Sequence, residues 1–104
     1  MGKIKWTENA SNNLKSIHEY ISKDSKVYAT RFIKSLIIAT KKLTTMPYCG
    51  RIVPELENEY LREVIFHNYR VIYRIISENK NIEILAVVHG SRDFNKSILD
   101  SWEL

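Results

Sequence analysis

The sequence predicts an α+β domain in which a helical hairpin packs on one face of a largely antiparallel sheet. The expected element order is β-α-α-β-β-β with a short C-terminal helix. Three observations carry this expectation. Two stretches, 8–21 and 26–45, each show one apolar stripe at helical spacing. Three runs after residue 60 are dense in β-branched and aromatic residues and are separated by short polar turns. The 104 residues contain no repeat, low-complexity tract or linker, so residues 1–104 are expected to form a single domain.

Lys3–Trp6 alternates and suits an opening strand. Thr7 can cap the first helix, and Glu8 is well placed near its positive end. Ala10, Leu14, Ile17 and Ile21 then follow at spacings of four, three and four, with His18 at the edge of that stripe as boundary packing. Asp24-Ser25 breaks the helix and can cap the next, which runs from Lys26 to Thr44 or Thr45. Its broader stripe is Ala29, Phe32, Ile33, Leu36, Ile37, Ala39 or Thr40, and Leu43. The short break makes the two helices an antiparallel hairpin. Met46-Pro47 ends the second helix, because the residue before proline is pushed out of the α region.

Pro54 keeps Ile52–Leu56 from being a central strand. Glu55, Glu57 and Glu59 read as a solvated acidic loop. Leu61–His67, Tyr69–Ile76 and Ile82–His89 are strands, with His67-Asn68 as a two-residue hairpin turn and Ser77–Asn81 as the second turn. Phe94, Ile98, Leu99 and Trp102 have the spacing of a closing helix. The helices cover one face of the sheet, and the other is expected to be open.

The 44% hydrophobic and 27% charged composition is that of an ordinary globular chain. No apolar run reaches the roughly 18–20 residues of a membrane span, and the N-terminus shows no apolar signal core. One cysteine, Cys49, excludes an internal disulfide and suits a reducing cytoplasm. One Cys and three scattered His give no metal-ligand spacing, so no metal is expected. Residues 1–50 carry nine Lys/Arg against three acids, and residues 51–104 carry seven against nine. The basic front half suits an acidic partner, protein or nucleic acid, and equally a solvated lysine face.

The strands carry groups that packing alone does not require: Arg70, Arg74, His89 and Arg92, with Tyr69 and Tyr73 beside the first two. Arg70 and Arg74 share one face of their strand, opposite Tyr69, Val71, Tyr73 and Ile75. They can serve a partner or substrate there, or pair with Glu63, Glu78 or Glu83 across strands. His89 carries an imidazole, a side chain that can transfer protons. Gly90 is expected to turn at positive φ and present Arg92 back toward the sheet.

The order of elements, the Pro47…Gly50-Arg51 turn followed by Pro54-Glu55, Arg62-Glu63, the Tyr69–Arg74 run and His89-Gly90-Ser91-Arg92 together resemble the RelE/ParE superfamily. These are toxins of bacterial type II toxin–antitoxin systems, often called plasmid stabilisation proteins. The resemblance covers Trp6 to Arg92 and implies the same α+β fold, no cofactor, no membrane association and a cognate antitoxin as partner. The antitoxin would contact the N-terminal strand and the helical hairpin. A homodimer and a toxin–antitoxin hetero-oligomer both stay open.

The superfamily has two modes of action. RelE-like members are ribosome-dependent, metal-independent mRNA endoribonucleases. Their reaction needs an activated 2′-hydroxyl, stabilisation of an anionic phosphorane and a proton for the leaving oxygen. For that chemistry Arg70 and Arg92 match the arginines of the set, and His89 supplies an acid–base. The lysine pair of the preceding strand and the C-terminal tyrosine are absent. ParE-like members inhibit DNA gyrase and lack a nuclease centre. Arg62-Glu63, the Tyr69–Arg74 strand and the His-Gly-x-Arg ending resemble this branch, which implies functional or partner-binding roles for Arg62, Tyr73 and Arg74. The ParE-like reading, a non-enzymatic cytoplasmic gyrase inhibitor, is preferred. The endoribonuclease acting on ribosome-bound mRNA is the alternative, and a degenerate, non-toxic antitoxin-binding module is the second. Arg70→Ala and Arg92→Ala are expected to reduce toxicity while leaving the fold intact, because both are placed on an exposed face.

Overall fold

In the computed structural model, which describes residues 2–76 and 78–90, two helices lie across a five-stranded mixed sheet. The strands are β1 (Ile4–Trp6), β2 (Arg51–Ile52), β3 (Leu61–Phe66), β4 (Tyr69–Ile75) and β5 (Ile82–His89). Their spatial order is β1-β5-β4-β3-β2, antiparallel throughout except for β1, which pairs parallel with β5. The first and last described strands are thus neighbours, and the helical hairpin lies between β1 and the rest of the sheet in sequence.

α1 (Glu8–Ser22) and α2 (Lys26–Thr40) start where the sequence expects. Thr7 Oγ1 accepts the Ala10 amide at 3.2 Å, and Ser25 Oγ accepts that of Tyr28 at 3.1 Å, so each helix has a side-chain cap. The second helix tightens into a 3-10 turn over Lys41–Thr44 before Pro47. Ala10 and Ile17 of α1, and Phe32 and Leu36 of α2, are buried against Val71, Tyr73, Ile75, Ile82, Ile84 and Val87. Leu14, Ile21 and Ile33 pack at the margin of the same core.

The opposite face of the sheet is not bare, contrary to expectation. Val53, Leu61, Ile72, Leu85, Ala86 and Val88 make a second buried cluster, with Leu56 packed against it. The chain beyond β2 supplies Val53 and Leu56 to that cluster. Pro54 follows closely, so β2, a strand that the expected element order lacks, pairs with only Arg62 and Glu63 of β3 and sits at the sheet edge.

β5 switches its alternation part-way along. Ile72 faces Ala86 and Tyr73 faces Ile84, which leaves Leu85 as an extra residue, a β-bulge. Ile82 and Ile84 therefore face the helices, Leu85 and Ala86 face away, and Val87 returns to the helix side. Polar side chains of α1 and its cap satisfy the disturbed ladder. Thr7 Oγ1 donates to Ile84 O at 2.9 Å, Asn9 Nδ2 donates to Leu85 O at 2.9 Å, and Asn13 Oδ1 accepts the Val87 amide at 2.9 Å.

Gly90 does not adopt positive φ; its amide donates to Asn68 O at 2.7 Å. The left-handed residue at this end is His67, φ 52°, in the β3–β4 turn. The expected closing helix and Arg92 lie outside the described residues.

Candidate functional site

Arg70 sits on β4 directly opposite Ile65 of β3 and Val88 of β5. Its side chain is on the face away from the helices, as strand parity requires, yet the residue is only 6% exposed. The expectation of an exposed arginine is therefore corrected. Its Nε donates to Glu63 Oε1 at 2.7 Å. Its two terminal nitrogens grip Glu55, Nη1 to Oε2 at 2.8 Å and Nη2 to Oε1 at 2.9 Å, a fork-to-fork pair. Glu63, 1% exposed, is shared: its Oε2 accepts from Arg51 Nε at 2.5 Å. Two guanidiniums and two carboxylates form one neutral cluster joining β2, β3, β4 and the loop after β2. Hydrogen bonding to Glu55 raises the Arg70 pKa above its already high ordinary value. The same contact lowers that of Glu55 below the usual carboxylate range, against the effect of burial.

His89 is exposed and lies on the other face. It is paired across the ladder with Tyr69, whose ring centre is 5.7 Å from its own. Tyr69 packs against the helix-side core. Tyr20, Asn68, Tyr69 and His89 line an open depression of about 400 Å³. Burial, with a contribution from Tyr20, raises the Tyr69 pKa. The bulge at Leu85 matters here, because one residue more or less in β5 exchanges the face on which His89 emerges. Arg70 and His89 are thus brought to neighbouring strands but to opposite surfaces.

Tyr73 is fully buried. Its hydroxyl donates to Pro47 O at 2.8 Å and accepts the Gly50 amide at 3.0 Å, so it holds the turn after the 3-10 segment. Burial pushes its pKa up to about 12. A direct partner contact by Tyr73 is excluded by that position. Arg62 closes the same turn from its other side. Nη1 donates to Gly50 O at 2.9 Å and Tyr48 O at 3.2 Å, Nε donates to Glu59 O at 2.8 Å, and the guanidinium stacks 5.0 Å from the centre of the Tyr48 ring. Lys80 lies 5.1 Å from the same ring. Arg74 is paired with Glu83 directly across the β4–β5 ladder, Nε to Oε1 at 2.9 Å, one of the cross-strand partners the sequence offers.

Among the described residues, no group of three or more His, Cys, Asp or Glu side chains could hold a metal ion. No described helix is long and apolar enough to cross a membrane.

Comparison with known proteins fits this geometry. The family model for the ParE toxin of the type II toxin–antitoxin system parDE matches residues 4–94. This chain belongs to the ParE toxin family. Among solved structures, the chromosomal ParDE system from P. aeruginosa contains a chain that matches with a TM-score of 0.70 at 22% identity, covering 86% of this toxin and 96% of that chain. A chain of the RelBE2 toxin–antitoxin complex from Mycobacterium tuberculosis matches at 0.63 and 21% identity, covering 85% and 96%. A mutant E. coli RelE toxin in the free state matches at 0.61 and 12% identity, covering 86% and 84%. At these identities the structural likenesses speak to the fold, which is α+β and RelE/ParE-like. No curated protein matches the sequence.

With the family known, the quoted motif residues acquire physical roles in this ParE-family toxin. Pro47 and Gly50 supply the backbone groups that Tyr73 binds, and a Cβ on Gly50 would come within 2.5 Å of the Tyr73 hydroxyl and 2.6 Å of Glu63 O. Glu55, read from sequence as a solvated loop acid, is the bidentate partner of Arg70. Its signal was the Pro54-Glu55 pair within the ordered motif set, since nothing in its local sequence points to Arg70 as its partner.

Proposed function

We propose that this ParE-family toxin acts in the cytoplasm by inhibiting DNA gyrase, without enzymatic activity of its own, and is held inactive by a cognate antitoxin. One observation supports this mode over RNA cleavage. The cation that a nuclease centre would place against the scissile phosphate, Arg70, is 6% exposed and neutralised by two carboxylates. An arginine engaged by Glu55 through both terminal nitrogens has little capacity left for a phosphorane. The acid–base candidate that the sequence offers, His89, emerges on the opposite face of the sheet. General acid–base catalysis needs both groups within hydrogen-bond reach of one phosphate.

The test is induced expression in a bacterial host, followed by separate assays of gyrase supercoiling and of mRNA cleavage on ribosomes. Growth arrest with lost supercoiling and intact mRNA is the expected result. Cleavage of ribosome-bound mRNA with normal supercoiling would move the chain to the RelE-like mode. Normal growth with both activities unaffected would leave a non-toxic antitoxin-binding module. A small reading frame beside this one, encoding a DNA-binding domain with an acidic tail, is the expected source of the antitoxin.

A further inference from the structure

Tyr48 stands where the β4–β5 turn meets the turn after the 3-10 segment, and two cations gather on its ring. The Arg62 guanidinium lies 5.0 Å and the Lys80 ammonium 5.1 Å from the ring centre, so the two charges sit within about 10 Å of each other. Lys80 Nζ also donates to the Tyr48 hydroxyl at 3.1 Å. That contact demands a strained backbone. Lys80 adopts φ 59° between Asn79 and Asn81, two residues of a type that takes the left-handed region more readily. Giving that position to lysine puts its ammonium on Tyr48.

These side chains present hydrogen-bond donors. Arg62 is anchored by Nε to Glu59 O and by Nη1 to the Tyr48 and Gly50 carbonyls, and its Nη2 forms no hydrogen bond among the described residues. The Lys80 ammonium has further protons to give, and the Tyr48 hydroxyl, an acceptor in their bond, keeps its own to donate. Lys3 N donates to Asn81 Oδ1 at 3.0 Å and Gly2 N to Thr44 O at 3.3 Å, so the N-terminus and the 3-10 turn adjoin the turn of Lys80. They add Lys3, Lys41 and Lys42, all exposed. Among the described residues none of these five cations forms an ion pair, whereas Arg51, Arg70 and Arg74 do. Glu59 and Glu78 adjoin the patch along the chain and are exposed, but neither closes on it.

We infer that this patch grips the phosphate backbone of duplex DNA. Pre-set donors without a partner acid suit an anion, and the geometry chooses phosphate over carboxylate. A carboxylate is best held by an open guanidinium fork, as Glu55 is by Arg70, but carbonyls already occupy Nε and Nη1 of Arg62. Single N–H and O–H donors from arginine, lysine and tyrosine are what a phosphodiester takes. The Tyr48 ring is already engaged by cations, which makes it a poor platform for stacking a base and favours a duplex over a single strand. For the duplex being the DNA on which gyrase acts, the inference rests on the gyrase reading above.

The probe is a fluorescent duplex oligonucleotide of mixed sequence, titrated with the full-length toxin at several salt concentrations. Lys80→Asn removes the charge and suits the left-handed backbone, so it should melt as the native protein does. It should weaken binding roughly 3- to 10-fold and lower the slope of log affinity against log salt by about 1. Tyr48→Phe, which keeps the ring and loses the hydroxyl, should weaken binding with the slope kept. Lys23→Gln is the control, because Lys23 also lies over a tyrosine, Tyr20, but at the His89 end of the sheet. Equal losses in Lys80→Asn and Lys23→Gln would show diffuse attraction to a basic protein and overturn the patch. So would a native slope in Lys80→Asn, or tighter binding of the single strand of the same sequence. The same proteins are then added to gyrase supercoiling assays, where Lys80→Asn should inhibit less than the native toxin and Lys23→Gln equally. Full inhibition by all three, with unchanged slopes, overturns the patch and leaves the gyrase reading standing. Binding through the patch by a native toxin that leaves supercoiling normal supports the patch and overturns the gyrase reading.

Discussion

Glu63 and Arg70 meet beneath the surface of the sheet, 1% and 6% exposed, with Nε of the arginine 2.7 Å from the carboxylate. The pair is the centre of a four-residue cluster that Arg51 and Glu55 complete. Its consequence is that a residue first attractive as a catalytic cation is an element of the fold. A buried pair of this kind contributes modestly as a unit, but removal of one member strands the other's charge.

Arg70→Ala should therefore destabilise the protein by about 3 kcal/mol, near the low end for a broken buried pair because Arg51 still holds Glu63. Thermal or urea melting checks this. A variant that melts within a degree or two of the native protein would show that Glu55 and Glu63 find other compensation. Loss of toxicity in Arg70→Ala has meaning only after correction for the folded fraction. Arg74→Ala is the control: its partner Glu83 lies partly in solvent, and the expected loss is under about 1 kcal/mol.

The cluster also sets an acid limit. The folded-state pKa of Glu55 is lowered from 4.5, chiefly by its hydrogen bonds to Arg70, so the ionised carboxylate favours the folded state. The unfolded chain takes up its proton first as pH falls. The contribution is thus fully present above about pH 4.5 and disappears as pH drops through the lower folded value. Denaturant midpoints measured from pH 6 down to 2.5 should fall more steeply for the native protein than for Glu55→Gln, which begins less stable. Parallel curves for the two would remove Glu55 from the account.

Tyr73→Phe tests the latch on the Pro47–Gly50 turn. The substitution leaves Pro47 O and the Gly50 amide without their hydroxyl partner, which should cost about 1–3 kcal/mol. The alkaline side separates this effect from a packing change. With the Tyr73 pKa raised to about 12 in the fold and 10.0 for the ordinary phenol, the unfolded state loses its proton first. Stability therefore declines from pH 10 toward 12 in the native protein, and less so in Tyr73→Phe. Gly50→Ala should destabilise the same turn, since its Cβ meets the hydroxyl and Glu63 O and only a backbone shift relieves both.

The helices were legible in the sequence because their stripes are clean and their caps are chemical: Thr7 and Ser25 do what short hydroxyl side chains do at helix starts. Four of the five strands were legible to within a residue or two, β2 being the exception, and so was the Arg74–Glu83 pairing among its alternatives. Parity placed Arg70 on the correct face but carried no information about depth. The cover over that face comes from Val53 and Leu56, in a segment whose proline and glutamates read as a solvated loop. The bulge was illegible for a different reason. Ile82–Val88 is apolar at every position but Glu83, so no alternation exists to be broken, and the face of His89 follows from a count the pattern does not record.

That bulge is held by residues no strand pattern mentions. Asn13 Oδ1 accepts the Val87 amide from the sheet-facing flank of α1, and Asn9 Nδ2, which donates to Leu85 O, also lies 3.5 Å from Asn13 Oδ1. Asparagine is a poor choice for a helix interior on propensity alone, so Asn13 on the sheet-facing side of α1 requires a tertiary reason. Val87 is 3% exposed, and without Asn13 its amide has no partner and little access to water. Asn13→Ala gains helix propensity of roughly 0.5 kcal/mol and loses about 1–3 kcal/mol from the stranded amide, so the expected net effect is destabilising. Hydrogen exchange supplies the sharper measurement. Protection of the Val87 amide should fall well beyond the global loss in Asn13→Ala, and Asn13→Asp, which keeps an acceptor, should restore most of it. Equal protection in all three proteins would mean that the ladder holds the bulge without α1.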